Sequence, residues 1–133
     1  MALKCSNPAW RIICVLLLLS GVAACSSVSI TGEESAGVYE SGIASFYADR
    51  HQNHKTANGE RYQHHLNTAA HRTLPFGTFV KVTNLDNGKS VVVKINDRGP
   101  FVAGRIIDLS KSAFSQIDEL SEGLLRVEID RVD

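Results

Sequence analysis

The sequence has few cysteines, and none of them can pair within the part of the chain that we expect to fold. The three cysteines among the 133 residues are Cys5, Cys14 and Cys25, all near the N-terminus. No disulfide framework is therefore available further along the chain. The stability of the folded part has to come from a packed core.

The sequence also lacks an excess of charge of either sign. It carries 14 basic and 14 acidic residues. Removal of residues 1–24 would take away Lys4 and Arg11 and leave 12 basic against 14 acidic residues. Domains that bind nucleic acid usually present a basic surface, so this balance argues against nucleic acid as a partner.

No apolar run is long enough to span a bilayer comfortably. The longest run, residues 12–19, follows the basic residues Lys4 and Arg11, and small residues then lead into Cys25. A short apolar run after a basic start is typical of an export signal. The ending Val-Ala-Ala-Cys resembles the lipobox of bacterial lipoproteins, which implies cleavage before Cys25 and acylation of that residue. An ordinary signal peptide cut nearby, or an uncleaved anchor, is the alternative.

These features divide the chain into three parts. We predict a lipoprotein signal peptide over residues 1–24, a lipidated N-terminus with a flexible polar tether over residues 25–37, and one small domain over residues 38–133. Ser26 and Ser27 follow Cys25. In the bacterial sorting pattern this composition implies a lipid anchor in the outer membrane, facing the periplasm.

Several short segments of the domain alternate apolar and polar residues, as half-buried β-strands do. We predict strands near residues 38–48, 79–83, 90–95, 105–109 and 124–129. Asn87-Gly88 predicts a hairpin between the second and third of them. A helix is predicted from its cap at Ser110 to about Leu120. Many short strands with one or two short helices indicate a mainly β, small closed barrel.

Asp97 follows directly on the strand-like run that ends at Ile95, and Gly99-Pro100 then turns the chain. Loops at the ends of a rigid sheet are common places for catalytic groups. A carboxylate held there can act as an acid or a ligand, or it can simply cap its own turn.

Five ordered motifs together resemble the rare lipoprotein A family. They are Gly-Ile-Ala-Ser-Phe-Tyr (42–47), Thr-Ala-Asn-Gly-Glu (56–60), Thr-Ala-Ala-His-Arg-Thr-Leu-Pro-Phe-Gly-Thr (68–78), Asn-Asp-Arg-Gly-Pro-Phe (96–101) and Gly-Arg-Ile-Ile-Asp-Leu-Ser (104–110). The resemblance implies a six-stranded double-psi β-barrel, shared in outline with expansins. It also implies a lytic transglycosylase that cuts MurNAc-GlcNAc β-1,4 bonds of peptidoglycan glycan strands without water, leaves 1,6-anhydroMurNAc ends and needs no cofactor.

The same resemblance implies three catalytic residues, Asp97, Glu60 and His71. Asp97 corresponds to the catalytic acid, because cleavage of a glycosidic bond needs a proton for the leaving oxygen. We expect Glu60 to lie close to Asp97, so that two like charges favour the protonated acid. We expect His71 to position the acid or the sugar, and the Arg98 side chain to point away from Asp97.

Four residues are predicted to bind the glycan, namely Tyr47, Thr56, Gln63 and Arg98. Tyr62 is a further aromatic residue predicted to face it. Gln63 stands where many relatives carry an acid, and its amide can hydrogen-bond a sugar but cannot transfer a proton. A non-catalytic, expansin-like module that binds peptidoglycan is therefore the alternative function.

Other ionisable residues have structural interpretations. His71 could be a buried residue that bonds the turn at Pro75, and Asp108 is predicted to be a structural carboxylate that holds a loop or Arg105. The five histidines have neither cysteine partners nor the His-Glu-x-x-His spacing of zinc enzymes, so we predict no metal site.

Overall fold

Six β-strands close into a barrel in the computed structural model, which describes residues 37–132. The strands are β1 (Glu40–Phe46), β2 (Thr68–His71), β3 (Phe79–Asn84), β4 (Ser90–Asp97), β5 (Arg105–Leu109) and β6 (Leu125–Val132). Their order around the barrel is β1-β5-β2-β4-β3-β6. The pairs β1–β5 and β2–β4 are parallel, whereas the other pairs are antiparallel. The prediction of a mainly β, six-stranded barrel is confirmed.

The predicted signal peptide, the lipidation of Cys25 and nearly all of the tether lie outside the described residues. Within residues 37–132 no helix is long and apolar enough to cross a bilayer. The single α-helix there, α1, spans Lys111–Ile117 and has 7 residues.

The strand β2 is the element that periodicity did not predict. All four of its residues are buried, so the segment lacks the polar–apolar alternation that identifies a half-buried strand. The hairpin between β3 and β4 is confirmed by their antiparallel pairing, with Gly88 at a φ of 74° in the connecting loop. Only a residue tolerant of positive φ fits there, which is why the loop contains glycine.

The helix α1 is shorter than predicted. It begins as expected, because Ser110 Oγ accepts a hydrogen bond from the Ala113 N–H at 3.2 Å. It ends early because Asn84 and Asn87, from the β3–β4 hairpin, donate their side-chain amides to the Ile117 carbonyl at 3.0 and 2.8 Å. These long-range donors satisfy a carbonyl at the helix end that would otherwise lack a partner.

Aliphatic side chains from alternate strand positions fill the barrel. They come mainly from β3, β4 and β6 and include Val80, Val82, Val91, Val93, Ile95, Val127 and Ile129. α1 adds Ala113, Phe114 and Ile117 to this core. The ring of Phe114 packs on that of Phe46 with their centroids 4.7 Å apart.

Strand register places four residues in one row across β1, β5, β2 and β4. Ser45 pairs with Asp108, Asp108 pairs with Ala70, and Ala70 pairs with Asp97. Directly paired residues project to the same face of a sheet. The carboxylates of Asp97 and Asp108 therefore lie on one face of the barrel wall, on either side of the small Ala70.

Candidate functional site

Asp97 is the last residue of β4, and its partly exposed carboxylate accepts three hydrogen bonds. The N–H groups of Ala57 and Arg98 donate to Oδ1 at 2.8 and 2.9 Å. The Tyr47 hydroxyl donates to Oδ2 at 2.6 Å. All three donors are neutral groups. They fix the position of the carboxylate without pairing it with a cation, and Oδ2 keeps capacity for one more donor.

Tyr47 lies just after β1 and reaches Asp97 across the barrel wall. Burial, together with the hydrogen bond to Asp97, raises the pKa of the Tyr47 hydroxyl well above its ordinary range. Tyr47 therefore stays protonated and remains a donor. Its ring stacks on Tyr62 with centroids 4.3 Å apart. Tyr62 is only 2% exposed, so the prediction that Tyr62 faces the glycan is wrong, and it supports Tyr47 instead.

The irregular segment between β1 and β2 brings the Ala57 amide to Asp97. Thr56 is buried next to it, and its hydroxyl donates to the Asn58 side-chain oxygen at 2.6 Å. The Gly59 N–H donates to the Thr56 carbonyl at 3.0 Å, which closes the turn. These contacts give Thr56 a role in shaping the turn that presents Ala57.

Gln63 has both ends of its amide engaged within the same segment. Its Oε1 accepts from Gln52 Nε2 at 2.6 Å, and its Nε2 donates to Asn53 Oδ1 at 2.7 Å. The amide therefore ties together two parts of the segment. Sugar binding by Gln63 stays a prediction, as it does for Thr56.

Glu60 lies in the turn that contains Ala57, but its partners differ from those of Asp97. Its carboxylate accepts from Lys94 Nζ at 3.0 Å, from Asn58 Nδ2 at 2.8 Å and from Asn96 Nδ2 at 3.4 Å. These hydrogen bonds, with that from Lys94 the strongest influence, lower the pKa of the Glu60 carboxyl. The charged group in contact with Glu60 is the ammonium of Lys94, and the expected like-charge effect of Glu60 on Asp97 stays a prediction.

His71 ends β2 and is buried, with both ring nitrogens in contact with polar groups. Its Nδ1 accepts the N–H groups of Thr73 and Leu74, each at 3.1 Å, and its Nε2 lies 2.8 Å from Glu40 Oε2. Since Nδ1 accepts, we assign the proton to Nε2, which donates to Glu40. The ring therefore holds the turn before Pro75, as the structural interpretation of His71 expected.

Arg98 links this turn to the site. Its guanidinium donates from Nη1 to the carbonyls of Leu74 and His71 at 2.8 and 3.3 Å, and Cζ lies 4.0 Å from the centroid of the Phe76 ring. The expectation that the side chain points away from the Asp97 carboxylate is confirmed. Arg98 braces the backbone that follows Asp97 against the end of β2, and glycan binding by its side chain stays a prediction.

Asp108 holds a polar cluster on the same face as Asp97. The Ser45 hydroxyl donates to Asp108 Oδ1 at 2.5 Å, and the Arg105 guanidinium donates to both of these residues. The predicted contact with Arg105 is confirmed. Sequence reasoning missed Ser45, because its partner Asp108 is 63 residues away and only strand pairing brings them together.

The histidines near the site take part in hydrogen bonds and ring packing. Within residues 37–132 no group of three His, Cys, Asp or Glu side chains is arranged to hold a metal ion. His64 bonds the Tyr62 hydroxyl through Nδ1 at 2.7 Å and lies 3.3 Å from Asp49 through Nε2. The rings of His51 and His54 meet edge to face with centroids 6.3 Å apart.

Comparison with known proteins assigns the family. Residues 39–129 match the family described as lytic transglycolase. The chain belongs to this family. The match covers every strand up to the middle of β6, and the motifs around Asp97, Glu60 and His71 all lie inside it.

Curated relatives agree with this family. The chain is 50% identical over 105 residues to the endolytic peptidoglycan transglycosylase RlpA of Pasteurella multocida, and 52% identical over 99 residues to the protein of that name from Vibrio cholerae. These alignments cover 77% and 73% of the chain, but only 36% and 38% of the relatives. The chain thus spans little more than a third of the length of these relatives. The resemblance to the rare lipoprotein A family is confirmed.

Solved structures share the fold at low sequence identity. A Streptomyces papain inhibitor aligns with a TM-score of 0.59 and 22% identity. The alignment covers 73% of this chain and 98% of the inhibitor chain. An expansin from Clavibacter michiganensis aligns with a TM-score of 0.55 and 21% identity, over 70% of this chain and 50% of its own. At this identity the likeness concerns the barrel alone.

Proposed function

We propose that this domain is a lytic transglycosylase that cleaves the MurNAc-GlcNAc β-1,4 bonds of peptidoglycan glycan strands. The observation that carries the proposal is the setting of Asp97, a partly exposed carboxylate at a strand end that three neutral donors hold in place. The identity of about half to proteins named endolytic peptidoglycan transglycosylases supports the same reaction class.

In the proposed reaction, Asp97 moves one proton in each of two steps. It first gives a proton from Oδ2 to the glycosidic oxygen, so that the GlcNAc side leaves and positive charge develops on the MurNAc ring. The C6 hydroxyl of the MurNAc then attacks C1, and the Asp97 carboxylate takes the proton of that hydroxyl. One C–O bond breaks, another forms and no water is consumed, which gives the 1,6-anhydro end.

The neighbours of Asp97 have supporting roles in this proposal. Tyr47 keeps its hydrogen bond to Oδ2 and stabilises the carboxylate that forms when the proton leaves. Arg98 and His71 act as positioning residues, because they brace the backbone on either side of the site. Glu60 stays anionic beside Lys94. Its negative charge stabilises the positive charge that develops on the sugar, and Glu60 itself transfers no proton.

Product analysis tests the proposal. The purified domain is incubated with glycan strands stripped of their peptides, and the new ends are identified by mass spectrometry. We expect 1,6-anhydroMurNAc ends with the wild-type protein and their formation at a rate lower by at least about 10²-fold with Asp97→Asn. Ends that carry an added water, or anhydro ends that persist at the wild-type rate in Asp97→Asn, would contradict the mechanism.

A non-catalytic module that binds peptidoglycan is the second candidate. Gln63 in place of an acid favours it, and the expansin barrel fits it as a shared fold. In this case the wild-type protein would sediment with denuded glycan and produce no new ends at any pH. The same incubation therefore separates the two candidates.

We also propose that the domain is anchored by acyl chains on Cys25 in the outer membrane and faces the periplasm. The lipobox-like ending and the two serines after Cys25 support this location. Metabolic labelling with palmitate should mark the protein, and Cys25→Ser should abolish the label. Recovery of the labelled protein in the inner-membrane fraction of a density gradient would contradict the sorting step.

A further inference from the structure

The loop that joins β4 to β5 carries the most exposed large apolar side chain among residues 37–132. Phe101 is 81% exposed, and the neighbouring Val102 is 52% exposed. Burial of a phenylalanine side chain is worth about 1.5–3 kcal/mol, and this ring forgoes most of that stabilisation. Single exposed apolar residues are ordinary on protein surfaces, so the significance of Phe101 depends on how its ring is held and what lies next to it.

Contacts at both ends of the loop hold Phe101 in place. The Arg98 guanidinium braces its start against the end of β2. The Arg105 N–H donates to the Val102 carbonyl at 3.1 Å and closes its end. Gly99 has a φ of 118°, and a Cβ added there would lie 3.6 Å from the Phe101 ring. The exposed ring therefore rests beside the Gly99 backbone on a braced loop.

Phe101 is also close to the proposed acid along the chain. Three residues separate it from Asp97, so their Cα atoms are at most about 14 Å apart. The first residue of the loop, Arg98, donates its N–H to the Asp97 carboxylate. This separation is short enough for one polymer to contact both the Asp97 carboxylate and the Phe101 ring.

We propose that Phe101 forms a stacking subsite for a sugar ring of the glycan strand that is cut at Asp97. This inference rests on the proposed function and names one part of its binding site. A β-1,4-linked pyranose presents flat faces of C–H groups, and an aromatic ring packs on such a face through dispersion and loss of water. The subsite holds a sugar next to the scissile bond and thereby sets the register of the strand.

The surroundings of Phe101 favour a sugar over a membrane or a charged peptide. Residues 99–104 carry no charged side chain, so this loop offers no ion pair to a peptide. A bilayer that covered Phe101 would also approach the carboxylate of Asp97, which has no cationic partner among residues 37–132, and desolvation of that group is costly. A glycan instead offers hydroxyl groups to the carboxylate and a C–H face to the ring.

Tryptophan fluorescence tests the subsite directly. Trp10 is the single tryptophan of the chain, so Phe101→Trp provides the sole indole in the exported form that starts at Cys25. The variant is combined with Asp97→Asn so that the glycan is not consumed. We expect a blue shift of the emission with denuded glycan oligosaccharides, saturating with their concentration. Emission that does not respond to glycan, or that shifts only with vesicles of phosphatidylethanolamine and phosphatidylglycerol, would overturn the proposal.

Leu85 provides the matched control. It is 44% exposed in the β3–β4 hairpin, which precedes Ser90 and so lies at the opposite end of β4 from Asp97. Leu85→Trp, in the same Asp97→Asn background, should keep its emission when glycan is added. An equal shift in this variant would show general adhesion of the glycan to the domain and would overturn a subsite at Phe101.

Kinetics separate this inference from the proposed function. In the otherwise wild-type chain, Phe101→Ala should raise KM about five- to tenfold and leave kcat within about twofold, as expected for loss of one aromatic contact. Phe101→Tyr should retain the wild-type KM. An unchanged KM in Phe101→Ala overturns the subsite even if anhydro ends form. A glycan response of the indole in Phe101→Trp, in a protein whose wild-type form makes no anhydro ends, would instead support the subsite and refute the proposed reaction.

Discussion

Asp97 and Glu60 are both carboxylates beside the end of β4, yet their surroundings differ in kind. Asp97 accepts hydrogen bonds from one hydroxyl and two backbone amides, whereas Glu60 pairs with the ammonium of Lys94. A neighbouring cation stabilises the anion and opposes protonation. Of the two carboxylates, Glu60 is the one held in an ion pair, whereas the three hydrogen-bond donors to Asp97 are neutral.

The two settings nevertheless depend on one turn of the chain. Ala57 donates its amide to Asp97, and the adjacent Asn58 donates its side-chain amide to Glu60. The segment between β1 and β2 therefore positions both groups at once. Nearness to a site therefore does not by itself assign proton transfer, because the partner of each carboxylate decides its chemistry.

The largest effect should follow from removal of the proposed acid. We expect Asp97→Asn to lower kcat by about 10²–10⁴-fold, the usual contribution of general acid–base catalysis. Glu60→Gln should lower kcat only a few fold, because the Glu60 carboxylate stays ionised in the proposed reaction and transfers no proton. Initial rates of anhydro-end formation measure both, and thermal melts verify that both variants fold. Equal losses of kcat in the two variants would contradict the different roles proposed for the two carboxylates.

His71→Ala should mainly lower stability. It would leave the buried amide of Leu74, and the more exposed amide of Thr73, without their acceptor, at a cost of about 1–3 kcal/mol. Urea unfolding measures the loss, and kcat per folded molecule should stay within a few fold. Arg72→Ala, an exposed neighbour, is the control and should change the free energy of unfolding by less than about 0.5 kcal/mol. A kcat loss as large as that of Asp97→Asn, with unchanged stability, would show that His71 acts in catalysis and not mainly in stability.

Tyr47→Phe should lower kcat about tenfold, which corresponds to about 1.4 kcal/mol of lost stabilisation of the Asp97 carboxylate. The ring remains to stack on Tyr62, so the loss reports on the hydroxyl. Initial rates at saturating glycan measure the effect. A kcat equal to that of the wild-type protein would show that the hydrogen bond to Oδ2 has no part in the reaction.

The same variant tests the raised pKa of Tyr47. Because the folded value lies above the unfolded value of about 10, the stabilising contribution of Tyr47 is complete below that pH and is lost as pH rises toward the folded value. The slope for one such group is about 1.4 kcal/mol per pH unit. Between about pH 9 and about pH 11, the free energy of unfolding measured with urea should therefore fall less steeply in Tyr47→Phe than in the wild-type protein. Parallel curves for the two proteins would contradict the assignment.

The smallest effect should come from Lys94→Met. Loss of the ammonium should raise the pKa of Glu60 toward its ordinary value, and carboxyl NMR titration measures the change. The free energy of unfolding should change by less than about 0.5 kcal/mol, since the pair is partly exposed. A Glu60 pKa that stays low in this variant would mean that the amides of Asn58 and Asn96 suffice to hold the anion.

Local patterns account for much of the fold. Alternation of apolar and polar residues predicts β3 and β6, short runs rich in Val and Ile predict β4 and β5, and Asn87-Gly88 predicts the hairpin, because these signals depend on near neighbours in the chain. Ser110 predicts the start of α1 for the same reason. The strand β2 escapes prediction because it is buried throughout, and α1 ends early because Asn84 and Asn87 approach from another element.

The sequence by itself determined the barrel class and the family and pointed to Asp97 as the candidate acid, because ordered motifs and strand periodicity are properties of the chain alone. Only the tertiary structure decided what each candidate contacts. It paired Glu60 with Lys94, 34 residues away, buried Tyr62 and left Phe101 in solvent. Partners and burial depend on how the strands close around the barrel, and no local pattern encodes that closure.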